Sequence, residues 1–372
     1  MSSVGRAVIL YLEPTPYILG LLEEIRAQSL WTIEAWFLGQ NLSQDWRLEL
    51  PDYCSMFDRS AGSAFWKIHE LLRKPGVRVL HLCGWGGHGA LVPSIMLASL
   101  YGVPVVIESD TQKPFQAPLL RRMIKRVLYP VLFRIPQMFL PAGTRQRDYL
   151  KSYGAKDAKL RIAQMTVDVA SIMRFARGFG AERRAAWRSA HRIDEDAVVF
   201  LFVGRLEKHK GLGALIAAFE QLAASDLNAR LVIVGDGSLR DEVGRAAAAD
   251  VRIASCGRLQ GDELLSAYCA ADVLVVPSEF EPWGLVVNEA MACGLLVIAS
   301  DRVGCGDDLI LGRDTGIVYS ADQPDGLLRA MRQASSSEAS RLRMKANASH
   351  VITDWTLQEE ASRVVAAWNT VV

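Results

Sequence analysis

Short apolar segments alternate with helical patterns along nearly the whole chain of 372 residues. In the first half, the segments with strand character are 7–12, 32–38, 77–83, 103–108 and 137–141. In the second half they are 198–203, 230–234, 251–255, 273–276 and 296–299, and 316–319 is expected to add an edge strand. Because strands that alternate with helices form parallel sheets covered on both faces, this order predicts an α/β fold.

The length and composition of the chain favour two domains. A chain of 372 residues exceeds the usual size of one core, and half of its residues are hydrophobic. A polar stretch from residue 177 to 196 separates the two runs of strands, and its five arginines between 177 and 192 predict a solvated linker helix. We therefore expect two doubly wound, Rossmann-like domains, at residues 1–175 and 197–353, with a ligand cleft at the facing carboxyl ends of their strands.

Charge and cysteine content narrow the class of protein. The net charge of +1 shows no basic excess that would indicate nucleic acid as a partner. The six cysteines have no C-x2-C pair, so we expect reduced thiols in a cytoplasmic protein rather than a zinc site. The first residues lack the apolar region and cleavage site of a signal peptide, and no stretch of about twenty apolar residues predicts a membrane span.

The segment 273–300 carries the strongest chemical signal. It predicts a buried strand, a loop with Glu281, a helix that begins near Gly284 and carries Glu289, and a second buried strand. The amides at a helix N-terminus suit a phosphate group, whereas carboxylates beside it accept hydrogen bonds from sugar hydroxyls. A diphosphate that joins a ribose to a hexose fits both features.

The same segment resembles the E-x7-E signature of retaining glycosyltransferases of family GT4, which have the GT-B fold. The motif runs from Glu281 through Pro-Trp-Gly-Leu-Val-Val-Asn to Glu289 and continues with Ala-Met-Ala-Cys-Gly. The resemblance implies that Glu281 holds the hydroxyls of the donor sugar and Glu289 the ribose. It also implies that the C-terminal helix, within residues 355–372, returns to the first domain.

A second candidate for donor binding is the segment from Phe202 to Gly211. Gly204 ends the preceding strand, and Arg205 and Lys210 flank the turn into a helix, a combination of close backbone approach and positive charge that suits phosphate. Family members place an arginine and a lysine at this spacing on the donor diphosphate.

Main-chain groups complete the predicted donor site. The turn of Trp283, Gly284 and Leu285 is expected to present helix amides, and the resemblance implies that the loop with Arg258 and Leu259 holds the base. Gly235-Asp-Gly lacks the third glycine of a dinucleotide fingerprint and is interpreted as a tight turn beside the nucleotide.

The candidate acceptor residues lie in the first half of the chain. Gly84-Trp-Gly-Gly-His88-Gly follows a strand and opens a helix, so His88 is expected to face the acceptor or to cap the helix. The loop after the first strand contributes Pro14, Thr15 and Tyr17, and the end of the fourth strand contributes Asp110.

No metal site or cofactor is expected. Asp194-Glu-Asp196 matches a D-x-D string that binds metal in glycosyltransferases of another fold, but here it precedes a strand beside the linker and is interpreted as a solvated turn. Arg205, Lys210 and the helix amides would take the electrostatic role of a metal ion.

The segment 119–134 is basic and amphipathic. Two interpretations remain open: a helix that lies on an anionic membrane surface, or a core-packed helix with solvated arginines.

The sequence thus predicts a metal-independent hexosyltransferase that uses a UDP- or GDP-sugar and a hydroxyl acceptor on a glycan or lipid-linked saccharide, as in polysaccharide or glycolipid biosynthesis. The resemblance to GT4 enzymes implies that the reaction retains the configuration of the anomeric carbon. The alternatives are a nucleotide-sugar epimerase of the same fold, which would act without an acceptor, and a non-catalytic partner subunit, which would not bind nucleotide.

Overall fold

Two parallel sheets of six strands each form the framework of the described residues, 4–39, 48–57, 61–86, 88–113, 119–226 and 228–372, in the computed structural model. The strands are β1 (Gly5–Tyr11), β2 (Trp31–Phe37), β3 (Cys54–Met56), β4 (Val77–Cys83), β5 (Val105–Ser109), β6 (Met138–Pro141), β7 (Val198–Val203), β8 (Ala229–Val234), β9 (Ile253–Gly257), β10 (Val273–Val276), β11 (Leu296–Ser300) and β12 (Gly316–Tyr319).

Helices connect the strands in both sheets. They are α1 (Pro16–Gln28), α2 (Ala61–Leu72), α3 (Leu91–Leu100), α4 (Leu119–Leu132), α5 (Thr144–Ser152), α6 (Val169–Ala190), α7 (Leu212–Ala223), α8 (Arg240–Ala249), α9 (Gly261–Ala270), α10 (Leu285–Ala292), α11 (Gly306–Leu309), α12 (Gly326–Ser336), α13 (Glu338–Val351) and α14 (Leu357–Val371). Within these described ranges, none of the helices has the length and apolar composition needed to cross a bilayer.

The chain divides into two units. The first contains Met1–Thr166 and Leu357–Val372, and the second contains Val167–Thr356. The first unit ends earlier than residue 175, because α6 begins at Val169 and belongs to the second unit.

The first unit has the strand order β3-β2-β1-β4-β5-β6. Side chains of β1 alternate between two cores: Val8 and Leu10 pack with the core that includes α2 and α3, whereas Ala7 and Ile9 pack with α1 and α14. The strands are therefore buried on both faces, which explains their continuous apolar sequences. The three-residue strand β3 is absent from the sequence prediction because it is too short to show a strand pattern.

The second unit has the order β12-β11-β10-β7-β8-β9. Its three predicted strands at 198–203, 273–276 and 316–319 have the bounds that the sequence indicates, and the other three strands shift by a residue or two. In both units the strand order reverses beside the first strand, which is the doubly wound pattern that the sequence predicts.

The prediction of a solvated linker helix at residues 177–192 is wrong at Arg188. This side chain is 1% exposed, and its guanidinium donates to the Asp272 carboxylate at 2.8 Å and to the carbonyl of Ala270 at 3.0 Å. Further bonds go to the carbonyls of Glu195 and Ala197. A charged side chain is buried only where it is paired and hydrogen-bonded, and the arginine count alone does not reveal such partners.

The exposure of helix α4 tests one of the two interpretations of segment 119–134. Its large apolar side chains at 119, 120, 123, 124, 127, 128 and 131 are exposed. The interpretation of a core-packed helix with only its cations in solvent is therefore wrong for this apolar face.

Candidate functional site

The predicted donor residues of the second unit lie where its strand order reverses. The segment from Gly204 to Lys210 follows β7, the segment from Ser278 to Gly284 follows β10, and these two strands are neighbours in the sheet. In a doubly wound sheet, the carboxyl ends of the strands on either side of this reversal form the usual ligand site.

Lys210 and Glu281 are in direct contact at this edge. The Lys210 ammonium lies 2.5 Å from Oε2 of Glu281, and the two side chains are 16% and 15% exposed. The Ser278 hydroxyl donates to the same carboxylate oxygen at 3.4 Å. The fold thus brings a cation and an anion, 71 residues apart in the chain, into one half-buried polar cluster.

A close approach between loops holds Lys210 in place. The next residue, Gly211, has φ +73°, and a Cβ atom there would lie 2.0 Å from the carbonyl oxygen of Pro277. Only glycine allows the β7 loop to approach the end of β10 so closely. The Lys210-Gly211 pair therefore sets the distance between the cation and Glu281.

Helix α10 begins beside this cluster. Its N-cap, Gly284, has φ +100°, and the first amides of the helix have no partner within it. The main chain of Glu281 is held by the Arg302 carbonyl at 3.3 Å and by the amide of Gly304 at 2.9 Å. Amide donors and a fixed carboxylate thus lie at the start of one helix, and Leu285, its first residue, is half-buried.

The indole of Trp283 is part of the core rather than of a ligand surface. It is 2% exposed, stacks on Trp355 with ring centroids 5.4 Å apart, and donates to the side-chain oxygen of Asn288 at 3.1 Å. Only the main chain of Trp283 remains a candidate for donor contacts. The stacking fixes the turn from which Gly284 and α10 begin.

Glu289 has a different environment from Glu281. It is half-buried on α10, and the hydroxyl of the fully buried Tyr268 donates to its Oε2 at 2.6 Å. Burial raises the pKa of the Glu289 carboxyl to about 7, although the hydrogen bond from Tyr268 opposes this effect. Glu289 therefore changes its charge near neutral pH.

Arg205 extends from the β7 edge as an exposed side chain directly after Gly204. The intervening His209 is exposed, and its pKa is lowered by partial desolvation and by the positive charges of Lys210 and Arg205. Both predicted phosphate-binding cations thus act on the same imidazole, which indicates that they share one electrostatic environment.

The loops after β8 and β9 end at the same edge. The amide of Gly235 donates to the Gly257 carbonyl at 2.8 Å, and a Cβ on Gly235 would lie 1.8 Å from the carbonyl oxygen of Gly204. Arg258 is exposed and Leu259 is half-buried beyond this contact. Both residues follow β9, which is the strand farthest from β10 on this side of the sheet.

Three residues of the site escaped the sequence analysis. Ser278 contacts Glu281, Tyr268 binds Glu289, and His209 lies between the two cations. Ser278 could have been found from its position two residues after the end of β10. Tyr268 lies on α9, and no local signal in the sequence marks it.

The candidate acceptor residues of the first unit also lie near a reversal of strand order, between β1 and β4. Pro14 and Thr15 follow β1 and are buried, and the Thr15 hydroxyl caps α1 by accepting from the amide of Ile18 at 3.4 Å. Burial raises the pKa of the Tyr17 hydroxyl. The negative charge of Asp110, an exposed residue that follows β5, raises this pKa further. Tyr17 and Asp110 thus share one polar region.

His88 follows β4 and caps the start of α3. Its Nδ1 accepts from the amide of Ala90 at 3.2 Å, and its carbonyl accepts from the amide of Leu91. Because Nδ1 accepts, we assign the proton of the neutral ring to Nε2. In this arrangement His88 presents a hydrogen-bond donor, which suits acceptor positioning rather than proton abstraction.

The Asp194-Glu-Asp196 string forms a turn whose carboxylates bind other side chains. Asp194 accepts from Arg230 at 2.6 Å and Asp196 from Asn228 at 3.0 Å. Across the ranges that the structure describes, no group of three or more His, Cys, Asp or Glu side chains is placed to hold a metal ion.

Most of the second unit matches a known protein family. Residues 183–351 match the family described as glycosyl transferases group 1. This range includes Arg205, Lys210, Glu281 and Glu289.

Curated relatives have low identity and partial overlap. Glycogen synthase of Mycobacterium tuberculosis is 28% identical over 71% of this chain and 63% of its own, and alpha-D-kanosaminyltransferase of Streptomyces kanamyceticus is 27% identical over 77% and 76%. An uncharacterised glycosyltransferase of Methanocaldococcus jannaschii is 35% identical over 39% of this chain and 38% of its own. The chain thus spans less than two thirds of the glycogen synthase and of the archaeal protein.

Solved structures of other proteins superpose on nearly the whole length of this chain. Sucrose-phosphate synthase from Thermosynechococcus elongatus superposes with a TM-score of 0.76 at 17% identity, covering 98% of both chains. HepE from Anabaena, solved in complex with UDP, has a TM-score of 0.75 at 14% identity and covers 98% of this chain and 100% of its own. These neighbours show that the chain has the GT-B fold.

Proposed function

Since residues 183–351 belong to the glycosyl transferases group 1 family and the chain has the GT-B fold, we propose that the protein is a retaining, metal-independent hexosyltransferase. It would move a hexosyl unit from a nucleotide-diphosphate sugar to a hydroxyl of a glycan or lipid-linked saccharide. The first unit would bind the acceptor, and the second would bind the donor.

One observation carries this proposal: the contact between Lys210 and Glu281 at the start of α10. A diphosphate needs positive charge and amide donors, whereas the sugar attached to it needs a carboxylate that accepts from hydroxyls. Lys210, the α10 amides and Glu281 offer these three functions within one cluster. An ordinary surface ion pair would not require the glycine that holds it against the end of β10.

The donor is proposed to be a UDP- or GDP-sugar. The structural neighbours solved with UDP or a UDP-sugar include HepE from Anabaena with UDP and an E. coli trehalose-6-phosphate structure with UDP-2-fluoro glucose. In this chain, Glu289 would accept hydrogen bonds from the ribose, and the main chain at Arg258 and Leu259 would hold the base.

The reaction requires stabilisation of a leaving diphosphate. As the bond from the anomeric carbon to the phosphate oxygen breaks, negative charge develops on that oxygen. Arg205, Lys210 and the amides that follow Gly284 would stabilise this charge, so no metal ion or other cofactor is needed. With retention, the leaving phosphate oxygen can take the proton of the attacking hydroxyl on the same face of the sugar.

The acceptor hydroxyl would be positioned by the first unit. His88, with its proton on Nε2, would donate to the acceptor, and Asp110 would accept from it. The main chain and side chains of Pro14, Thr15 and Tyr17 would line the same region after β1.

Titration calorimetry with UDP and GDP tests the donor assignment. Glu289→Ala should weaken binding of the bare nucleotide, because the ribose is present in it. Glu281→Ala should leave nucleotide binding nearly unchanged and lower kcat with the donor sugar, since that contact strengthens in the transition state. Glu263→Ala, at an exposed position of α9, is the matched control.

Two results would overturn the proposal. Absence of binding of any nucleoside diphosphate would favour a non-catalytic partner subunit. Conversion of a nucleotide sugar without any acceptor would favour an epimerase of the same fold.

A further inference from the structure

Helix α4 turns its apolar side away from the first unit. Seven large apolar side chains of this helix are between 49% and 71% exposed: Leu119, Leu120, Met123, Ile124, Val127, Leu128 and Val131. They recur as adjacent pairs every four residues, so they form one stripe along the length of the helix. A surface helix of a soluble fold normally buries such a stripe.

The outward direction of this stripe is set by contacts on the opposite side of α4. Tyr129 packs edge-on against Trp85 with centroids 5.6 Å apart, and Phe133, just after the helix, lies 5.1 Å from the same indole. Lys125 donates to the hydroxyl of Tyr149 at 2.9 Å. Aromatic side chains thus hold the inner side of α4, and no residue that the structure describes in the first unit buries the apolar stripe.

Positive charge accompanies the stripe. Residues 119–134 contain four arginines and one lysine but no acidic residue, although the whole chain carries a net charge of only +1. Arg122 and Arg126 are exposed on the helix. By its position on the helical wheel, Arg126 borders the apolar stripe. An apolar stripe with a cationic border matches an anionic lipid surface, where the stripe enters the acyl boundary and the cations contact headgroups.

We propose that α4 is a membrane-surface anchor, which lies in the interface of a bilayer that contains anionic lipid. A second copy of this chain is disfavoured as the occupant, because two such helices would bring the exposed Arg122 and Arg126 of each copy together, and residues 119–134 contain no acidic side chain to pair with them.

The position of α4 also narrows the acceptor class, a step that rests on the proposed function. Trp85, which packs against α4, lies in the same loop as His88. A bilayer in contact with α4 would therefore lie near the candidate acceptor residues of the same unit. This arrangement suits an acceptor that is carried on a lipid.

Sedimentation with lipid vesicles tests the anchor without any assay of activity. The full chain is mixed with vesicles of phosphatidylcholine alone or with about one third phosphatidylglycerol. We expect binding to the anionic vesicles that decreases at high salt. The double variant Val127→Gln/Leu128→Gln should lower the partition coefficient about tenfold or more, because it removes two of the exposed apolar side chains.

A second double variant separates charge from apolar burial. Arg122→Gln/Arg126→Gln should lower binding to anionic vesicles by about fivefold for each arginine, and should leave binding to neutral vesicles unchanged. Leu342→Gln, at a site 57% exposed on α13, is the control for a loss of apolar surface elsewhere and should bind like the wild type. All variants should keep the melting temperature of the wild type, since the substituted residues are exposed.

Two results would overturn the anchor. The first is wild-type protein that stays in the supernatant with both kinds of vesicle. The second is a wild-type dimer that the Val127→Gln/Leu128→Gln variant converts to a monomer while vesicle binding is unchanged, which would identify the stripe as an interface between copies. Because vesicle binding needs no nucleotide, a failed nucleotide titration would leave the anchor standing.

Discussion

Replacement of Glu289 by glutamine should stabilise the protein at neutral and alkaline pH. The pKa of this carboxyl is raised from 4.5 to about 7 by burial, and the hydroxyl of Tyr268 donates to it. In the unfolded chain the same carboxyl ionises near 4.5. Between these two values the folded state binds more protons than the unfolded state, so stability falls as the pH rises.

The magnitude follows from the two pKa values. A pKa difference of one unit corresponds to about 1.4 kcal/mol. Full ionisation of Glu289 therefore lowers the free energy of unfolding by roughly 3 kcal/mol relative to its value at acidic pH. Between pH 5 and pH 8 this loss of stability grows by about 2.5 kcal/mol. Glutamine cannot ionise, and its amide oxygen can still accept from Tyr268. The gain in stability of Glu289→Gln over the wild type should therefore increase from pH 5 to pH 7 and level off above pH 7.

Urea unfolding at half-unit steps from pH 5 to pH 8 measures this gain. The free energies of unfolding of the wild type and Glu289→Gln are compared at each pH, and Glu263→Gln, at an exposed position of α9, serves as the control. A stability difference between Glu289→Gln and the wild type that does not change with pH would refute the reasoning. If the reasoning is right, the protein keeps a carboxylate at a cost in stability, which is typical of a functional residue.

Three further predictions concern the donor site and the second unit. Lys210→Ala should lower kcat about a hundredfold or more, because it removes a contact to the negative charge that develops on the leaving diphosphate. Lys208→Ala, at an exposed position, is the control and should retain activity. Equal activity of the two variants would show that Lys210 does not take part in the reaction. Activity should survive EDTA, since cations and helix amides of the chain supply the positive charge, and loss on chelation with recovery on addition of manganese would contradict this mechanism. Arg188→Ala should lower the free energy of unfolding by about 2 to 3 kcal/mol, because it leaves the carbonyls of Ala270 and Ala197 without their buried donor, whereas Asp272 keeps its ion pair with Arg184. A change no larger than that of Arg174→Ala, at an exposed position of α6, would show that the buried guanidinium contributes little.

The sequence by itself determined the fold class and most of the segments from which the donor site is built. Strands that are buried on both faces must be continuously apolar, so β7, β10 and β11 are visible as short hydrophobic runs. Gly204 and Arg205 directly follow the β7 run, whereas Lys210 was selected by its spacing from Arg205 and Glu281 by the E-x7-E motif. These signals are local, because they depend on residues that are neighbours in the chain.

The tertiary structure alone decided which of these residues are in contact, how deeply they are buried and how their pKa values are shifted. The contact between Lys210 and Glu281 depends on the order of β7 and β10 in the sheet, and the raised pKa of Glu289 depends on burial beside Tyr268 of another helix. The amphipathic pattern of α4 was visible in the sequence, but the direction of its apolar side was not. Burial, electrostatic environment and helix orientation arise from packing between distant segments, and a periodic pattern specifies a face without specifying what that face contacts.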